Sequence, residues 1–176
     1  MIVLMGVPGA GKSMQGRMLA DEKGYAWIST GEILRVLVTG KRRHEMQEGK
    51  LLSDGEMIRM IDKVLDLINL HEEFVLDGFP RTLKQADWLL DQAHMGRFKI
   101  SAVFHLVSDE SVIRERLESR GRKDDTAEAI KVRFDEYNNV TLPILDDFRK
   151  GGVTIYDING SQTPKEVHKQ IIDSLA

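Results

Sequence analysis

Cysteine is missing from all 176 residues, which excludes disulfides and thiolate metal sites alike. Long apolar runs are missing too. The longest apolar opening, Met1–Met5, falls far short of the roughly 20 residues a bilayer-spanning helix needs. No basic segment precedes it, so a secretory leader is not expected, and the expected location is the cytoplasm, with no membrane partner. An excess of positive charge is absent: 25 Lys and Arg against 28 Asp and Glu leave a net charge of −3, which argues against a general nucleic-acid binder. The five histidines (His44, His71, His94, His105 and His168) show no metal-ligand spacing, so they read as solvated or hydrogen-bonded side chains, and no zinc is expected. No repeat, low-complexity tract or long linker divides the chain.

What is present is an ordinary globular balance, 41% hydrophobic and 30% charged, in a chain long enough to bury a core without staples. The expectation is one domain over 1–176, a monomer by default. Short apolar runs at Met1–Met5, Tyr25–Ile28, Phe74–Leu76, Ile100–Val107 and Val153–Ile158 read as strands. Between them, helical spacing covers Lys12–Lys23, Thr30–Val38, Arg42–Glu48, Leu83–Ala93, Asp109–Ser119, Thr126–Val140 and Leu142–Lys150. Ser53 and Glu56 form a capping box ahead of a helix carrying Met57, Ile61 and Leu65. Thr163 and Glu166 form a second, with Pro164 at the first helical position. Strands alternating with helices predict an α/β fold, a parallel sheet covered on both faces. Ligands of such sheets bind beyond the carboxyl ends of the strands.

The informative residues fall just after strands. Gly6-Val7-Pro8-Gly9-Ala10-Gly11-Lys12-Ser13 fits the phosphate-binding pattern G-x-x-x-x-G-K-[ST]. Its glycines let backbone N–H groups turn inward around phosphates, the next helix adds its positive N-terminus, and Lys12 reaches the outer phosphates. Asp77 ends a buried strand and reads either as a Mg²⁺ ligand beside this loop, directly or through water, or as a turn carboxylate; the loop favours the metal. Arginines crowd Arg116–Arg133, either as an ion-paired helix face or as a phosphate-binding cluster, whereas Arg114 reads as part of an ion-paired, solvated face.

Three further segments carry a family resemblance. Ser29-Thr30-Gly31-Glu32-Ile33-Leu34-Arg35, Asp77-Gly78-Phe79-Pro80-Arg81-Thr82 with Gln85, and Arg120-Gly121-Arg122-Lys123-Asp124-Asp125 with Arg133 resemble adenylate kinases, in order, from Met1 to about Ile172. The resemblance implies a P-loop NTPase-type sheet, a small helical monophosphate-binding insertion (30–69) and a truncated lid loop (120–125). It implies reversible, Mg²⁺-dependent phosphoryl transfer from ATP to AMP. Gly9, Ala10, Gly11, Lys12, Ser13 and Met14 would bind ATP, with Arg116 stacked on its adenine and Gly160 lining that pocket. Thr30, Gly31, Arg35, Gly78, Arg81 and Gln85 would bind AMP. Lys12, Asp77, Arg81, Arg120, Arg122 and Arg133 would serve the transfer, and Ser13 could approach the metal.

Four departures from the family pattern stand out. Ser13 and Met14 follow Lys12 where the family usually has glycine and then threonine. Leu51-Leu52-Ser53-Asp54 lacks a proline, the monophosphate-binding segment is several residues short, and one glycine separates Arg120 from Arg122. A pyrimidine monophosphate kinase is the rival within the class, although Thr30, Thr82 and Gln85 favour AMP. A catalytically inert nucleotide-binding module is the rival from another class, although Lys12, Asp77 and the arginines are all present.

Overall fold

The computed structural model describes residues 1–47, 52–121 and 126–175. Its sheet has five parallel strands: β1 (Ile2–Met5), β2 (Ala26–Ser29), β3 (Phe74–Asp77), β4 (Ala102–Val107) and β5 (Ile155–Asn159), in the order β2-β3-β1-β4-β5. Each strand sits within two residues of its expected run. The central strand β1 pairs Leu4 with Asp77 on one side and with Phe104 on the other.

Alternation along the strands explains why both faces are covered. Val3 and Met5 of β1, Phe74 and Leu76 of β3, and Val103 of β4 enter one core. Ile2, Leu4, Val75, Ala102, Phe104 and Leu106 enter the other. The first core is closed by α4 (Asp54–Leu65), α5 (Leu83–His94) and α8 (Ile144–Lys150), through Met57, Ile61, Leu65, Leu89 and Phe148. The second is closed by α1 (Lys12–Lys23) and α9 (Pro164–Leu175), through Leu19, Val167 and Ile171. With apolar side chains on both faces, the strands read as continuous hydrophobic runs.

The remaining helices are α2 (Thr30–Leu37), α3 (Gly40–Gln47), α6 (Glu110–Arg120) and α7 (Ala127–Glu136). Both capping boxes form. Ser53 and Glu56 exchange side-chain and backbone bonds at the start of α4, and the Thr163 N–H donates to Glu166 Oε2 at 3.0 Å ahead of α9. One expectation needs correction. The helix expected over Thr126–Val140 is regular only to Glu136, and a π-turn, Tyr137–Thr141, follows. The Leu142 N–H donates to the Tyr137 carbonyl at 2.7 Å, five residues back. Pro143 has no N–H with which to continue the ladder, so the chain widens before α8 begins.

Candidate active site

The carboxyl ends of β1, β2 and β3 open into a cleft of about 780 Å³. The loop after β1 forms its floor. Gly9 has φ +90°, and a Cβ there would lie 2.8 Å from Ile113 Cγ2, so only glycine lets this turn lie against α6. Gly9, Ala10, Gly11, Lys12, Ser13 and Met14 all line the cleft. Lys12 Nζ donates to the carbonyls of Gly6 (2.6 Å) and Val7 (2.9 Å). Burial lowers the Lys12 pKa to about 8; Asp77 opposes the shift, while Arg81 and Arg120 add to it.

Asp77 is 3% exposed at the end of β3. Its Oδ2 accepts from Ser13 Oγ at 2.6 Å and from Ser29 Oγ at 3.2 Å, so a carboxylate, the phosphate-loop hydroxyl and a β2 hydroxyl meet at one point. All three are hard oxygen donors suited to Mg²⁺. Among the described residues no group of three or more His, Cys, Asp or Glu side chains forms a metal cage. A site sharing few protein ligands with phosphate and water is the arrangement Mg²⁺ ordinarily takes.

After Asp77 the chain turns through Gly78, at φ +83°, where a Cβ would lie 2.4 Å from Thr30 Oγ1. That close approach seats α2 on β3, and the buried Thr30 hydroxyl donates to the Asp77 carbonyl at 3.3 Å. Thr30 thus backs the cleft, while Gly31 and Arg35 line it. Arg35 pairs with Glu32 at 2.8 Å. Arg81 Nε donates to the Gly78 carbonyl at 2.9 Å, and the Arg81 N–H donates to Gln85 Oε1 at 2.8 Å. Burial lowers the Arg81 pKa; Asp77 and Glu136 oppose this, and Arg133 and Arg35 reinforce it.

The opposite wall comes from α6 and α7. Arg116 donates to the carbonyls of Gly160 (2.7 Å) and Gln162 (3.0 Å), which ties α6 to the loop after β5. Gly160 is required by packing, since a Cβ would lie 2.3 Å from Ser108 Oγ. Arg120 and Arg133 line the same cleft. Arg122 lies outside the described residues. Arg114 points elsewhere and pairs with Glu110 at 2.6 Å across one helical turn, the ion-paired reading given to it.

Several cleft residues escaped sequence reading. Glu136 lines the cleft opposite Arg81 and Arg133, and burial raises its pKa against the pull of both arginines. Tyr137 and Thr141 also line it, the Thr141 hydroxyl donating to the Arg81 carbonyl at 2.9 Å. Gln15 and Arg17 of α1 face the same space. Glu136 carries no motif, and the helical period alone would not have brought it to Arg81. The Gln15 position, two residues past Ser13, was a usable signal.

A phosphate-binding loop at the carboxyl edge of a doubly covered parallel sheet, with a carboxylate at the neighbouring strand end, is a P-loop NTPase-type fold, and the arginine-rich cleft above it suits phosphoryl transfer. Comparison with known proteins narrows this class. The family model for adenylate kinase matches residues 4–153. An adenylate kinase of Prochlorococcus marinus is 36% identical, with 99% of this chain and 98% of that protein aligned. One from Corynebacterium urealyticum is 36% identical over 91% of each chain, and one from Porphyromonas gingivalis is 33% identical over 97% of this chain and 92% of that protein. The chain belongs to the adenylate kinase family and is a phosphotransferase.

Proposed function

We propose that the protein catalyses reversible, Mg²⁺-dependent transfer of the terminal phosphoryl group of ATP to AMP, giving two ADP. The observation that carries this reading is the convergence of Lys12, Asp77 and six described arginines (Arg17, Arg35, Arg81, Arg116, Arg120 and Arg133) on one cleft of a chain whose net charge is −3. Phosphoryl transfer offers protein side chains little covalent chemistry, so positioning and charge stabilisation dominate. Fork-shaped guanidinium groups match phosphate oxygens two bonds at a time.

In this reading the loop N–H groups and Lys12 hold the phosphates of ATP. Lys12 exchanges its two carbonyl partners for phosphate oxygens. Arg116, held by the Gly160 and Gln162 carbonyls, lies against the ATP base. Arg35 and Arg81 grip the phosphate of AMP, Thr30 supports that subsite from behind, and Gln85 contacts the base. Arg120 and Arg133, with Arg122, surround the group in transit. Glu136 keeps Arg81 and Arg133 oriented before substrate arrives. Ser13 and, through water, Asp77 would hold Mg²⁺, which neutralises phosphate charge when bound. Residues 30–69 act as the monophosphate-binding subdomain and 120–125 as a minimal lid. We place the activity in a cytoplasmic monomer, on the composition of the sequence.

A coupled assay with ATP alone, AMP alone and both tests the reaction. Rapid turnover is expected only with both, ATP alone giving no more than slow hydrolysis. Comparing kcat/KM for AMP, CMP, UMP and GMP at fixed MgATP tests the acceptor. A higher value for CMP or UMP would replace adenine with a pyrimidine, and no turnover with any acceptor would leave a nucleotide-binding module.

A further inference from the structure

Gln85 is 1% exposed, lines the cleft and has both ends of its amide occupied. Its Oε1 accepts from the Arg81 N–H at 2.8 Å, and its Nε2 donates to Asp54 Oδ1 at 2.9 Å. A backbone N–H can only donate and a carboxylate oxygen accepts, so these two partners permit one orientation of the amide and forbid its flip. The same Asp54 oxygen accepts from Thr82 Oγ1 at 2.7 Å, and the Thr82 hydroxyl in turn caps α5 by accepting from the Gln85 N–H. Asp54 is the first residue of α4, on the 30–69 segment, whereas Gln85 and Thr82 belong to the core. Among the described residues no further bond engages the Gln85 amide. One lone pair on Oε1 and one N–H on Nε2 are left to offer. Leu34, Leu52 and Met57 add apolar lining to the same cleft.

We propose that Asp54 is a specificity-determining positioning residue: by locking the Gln85 amide, it makes the acceptor site select a 6-aminopurine over a 6-oxopurine. The inference rests on the reading of Gln85 as the contact to the acceptor base. An acceptor beside a donor complements the edge of adenine, whose N6 amino group donates and whose N1 accepts. The same edge of hypoxanthine carries an O6 acceptor and an N1–H donor. Against a locked amide it would bury mismatched polar groups, and such mismatches discriminate strongly. Without Asp54 the amide keeps a single anchor, the Arg81 N–H at its Oε1, and can pivot about that bond, so its Nε2 donor is no longer held in register with the purine edge. Asp54 touches no reacting atom and acts only through Gln85 and Thr82.

The test uses the full chain with MgATP as donor and AMP or IMP as acceptor, two nucleotides of nearly equal size and opposite edge polarity. The quantity read is the ratio of kcat/KM for AMP to that for IMP, measured on one preparation so that any unfolded fraction cancels. Asp54→Ala should lower this ratio by about tenfold or more, with the KM for ATP unchanged. Asp54→Asn retains an oxygen able to accept both bonds and should hold the ratio within about threefold of the unmodified chain. A selective unmodified chain whose ratio survives Asp54→Ala would overturn the role of Asp54 alone. An unmodified chain that uses IMP as well as AMP would overturn the reading of Gln85 and this inference with it.

Discussion

At the scale of single residues, neighbouring arginines do different work according to what their helix faces. Arg114 and Arg133 are both partly helical-surface residues in sequence, yet Arg114 ends at Glu110 and Arg133 ends in the phosphate cleft near Arg81. Arg133→Ala should lower kcat by roughly 10²- to 10⁵-fold, the range for arginines that stabilise transferring phosphoryl groups. Arg114→Ala is the control, and its kcat should stay within about twofold, since an exposed helical ion pair contributes little. Near-normal turnover of the Arg133 variant, with the fold intact, would return that side chain to the solvated surface. Lys12 supports a prediction about protons. Its pKa of about 8 lies below the usual lysine value because burial penalises the charge. A depressed lysine pKa means the unfolded chain holds the extra proton between about 8 and about 10.4, so this group's contribution to stability rises with pH across that window. A polyphosphate reverses the local balance by favouring the ammonium form. Calorimetry in buffers of different ionisation enthalpy should therefore detect net proton uptake on ATP binding at about pH 8.5, and almost none from this lysine at about pH 6.5. Equal uptake at both values would show that Lys12 is already charged in the free protein.

At the scale of elements, the π-turn is where α7 is anchored. Tyr137 OH and His105 Nε2 lie 2.7 Å apart, and His105 Nδ1 lies 2.7 Å from Asp157, so one chain of bonds joins the turn to β4 and β5. Burial, and then Asp157, raise the pKa of Tyr137, which keeps the phenol protonated and able to donate. At its other end the turn is tied to the Arg81 carbonyl by Thr141. Arg133 and Glu136 sit on the helix just before it, so their placement in the cleft depends on these ties. Tyr137→Phe removes one buried hydrogen bond while keeping the ring, and should cost about 1 kcal/mol in urea unfolding. It should also lower kcat more than it raises either KM, because the ground-state binding groups are untouched. A variant with reduced stability and unchanged kcat would mean that α7 is held by apolar packing through Ile130, with the bond incidental.

At the scale of the whole molecule, the cleft gathers basic side chains from separate elements. Arg120 from α6, Arg133 from α7, and Lys12 and Arg81 from the core share one space. One glycine separates Arg120 from Arg122 in the sequence, and on the proposed reading of 120–125 as a minimal lid the described arginines Arg120 and Arg133 belong to α6 and α7 themselves. Closing segments normally cover phosphates and exclude water. A short cover should shield the terminal phosphate less well. ATP hydrolysis in the absence of AMP should therefore be a larger fraction of total turnover here than in a relative with a longer lid. Parallel assays of phosphate release and ADP formation measure it, and an equal or smaller leak would mean that another part of the cleft excludes water. No helix among the described residues is long and apolar enough to cross a membrane.

Local chemistry was legible from the sequence because local spacing carries it. A phosphate loop needs its glycines, lysine and hydroxyl at fixed separations along one chain. Strand ends, helix caps and the two capping boxes are likewise short-range devices; both boxes form at the predicted residues, and the strands lie within two residues of their expected bounds. Sheet order was not legible, because β2-β3-β1-β4-β5 depends on which apolar faces meet across the core, and five similar runs of Val, Ile, Leu and Phe do not declare their neighbours. Nor was the environment of each charge. Glu136 gained its raised pKa, and Asp54 its grip on Gln85 across 31 residues, only when helices distant in sequence packed together. The tie from the Thr30 hydroxyl to the Asp77 carbonyl was likewise not legible, because it needs α2 packed against the end of β3, with Gly78 lying close to that hydroxyl. The π-turn was beyond reach for the same reason. Helical spacing continues through Tyr137–Thr141, and the widened turn is stabilised by partners on β4 and in the Arg81 loop that only the folded chain supplies.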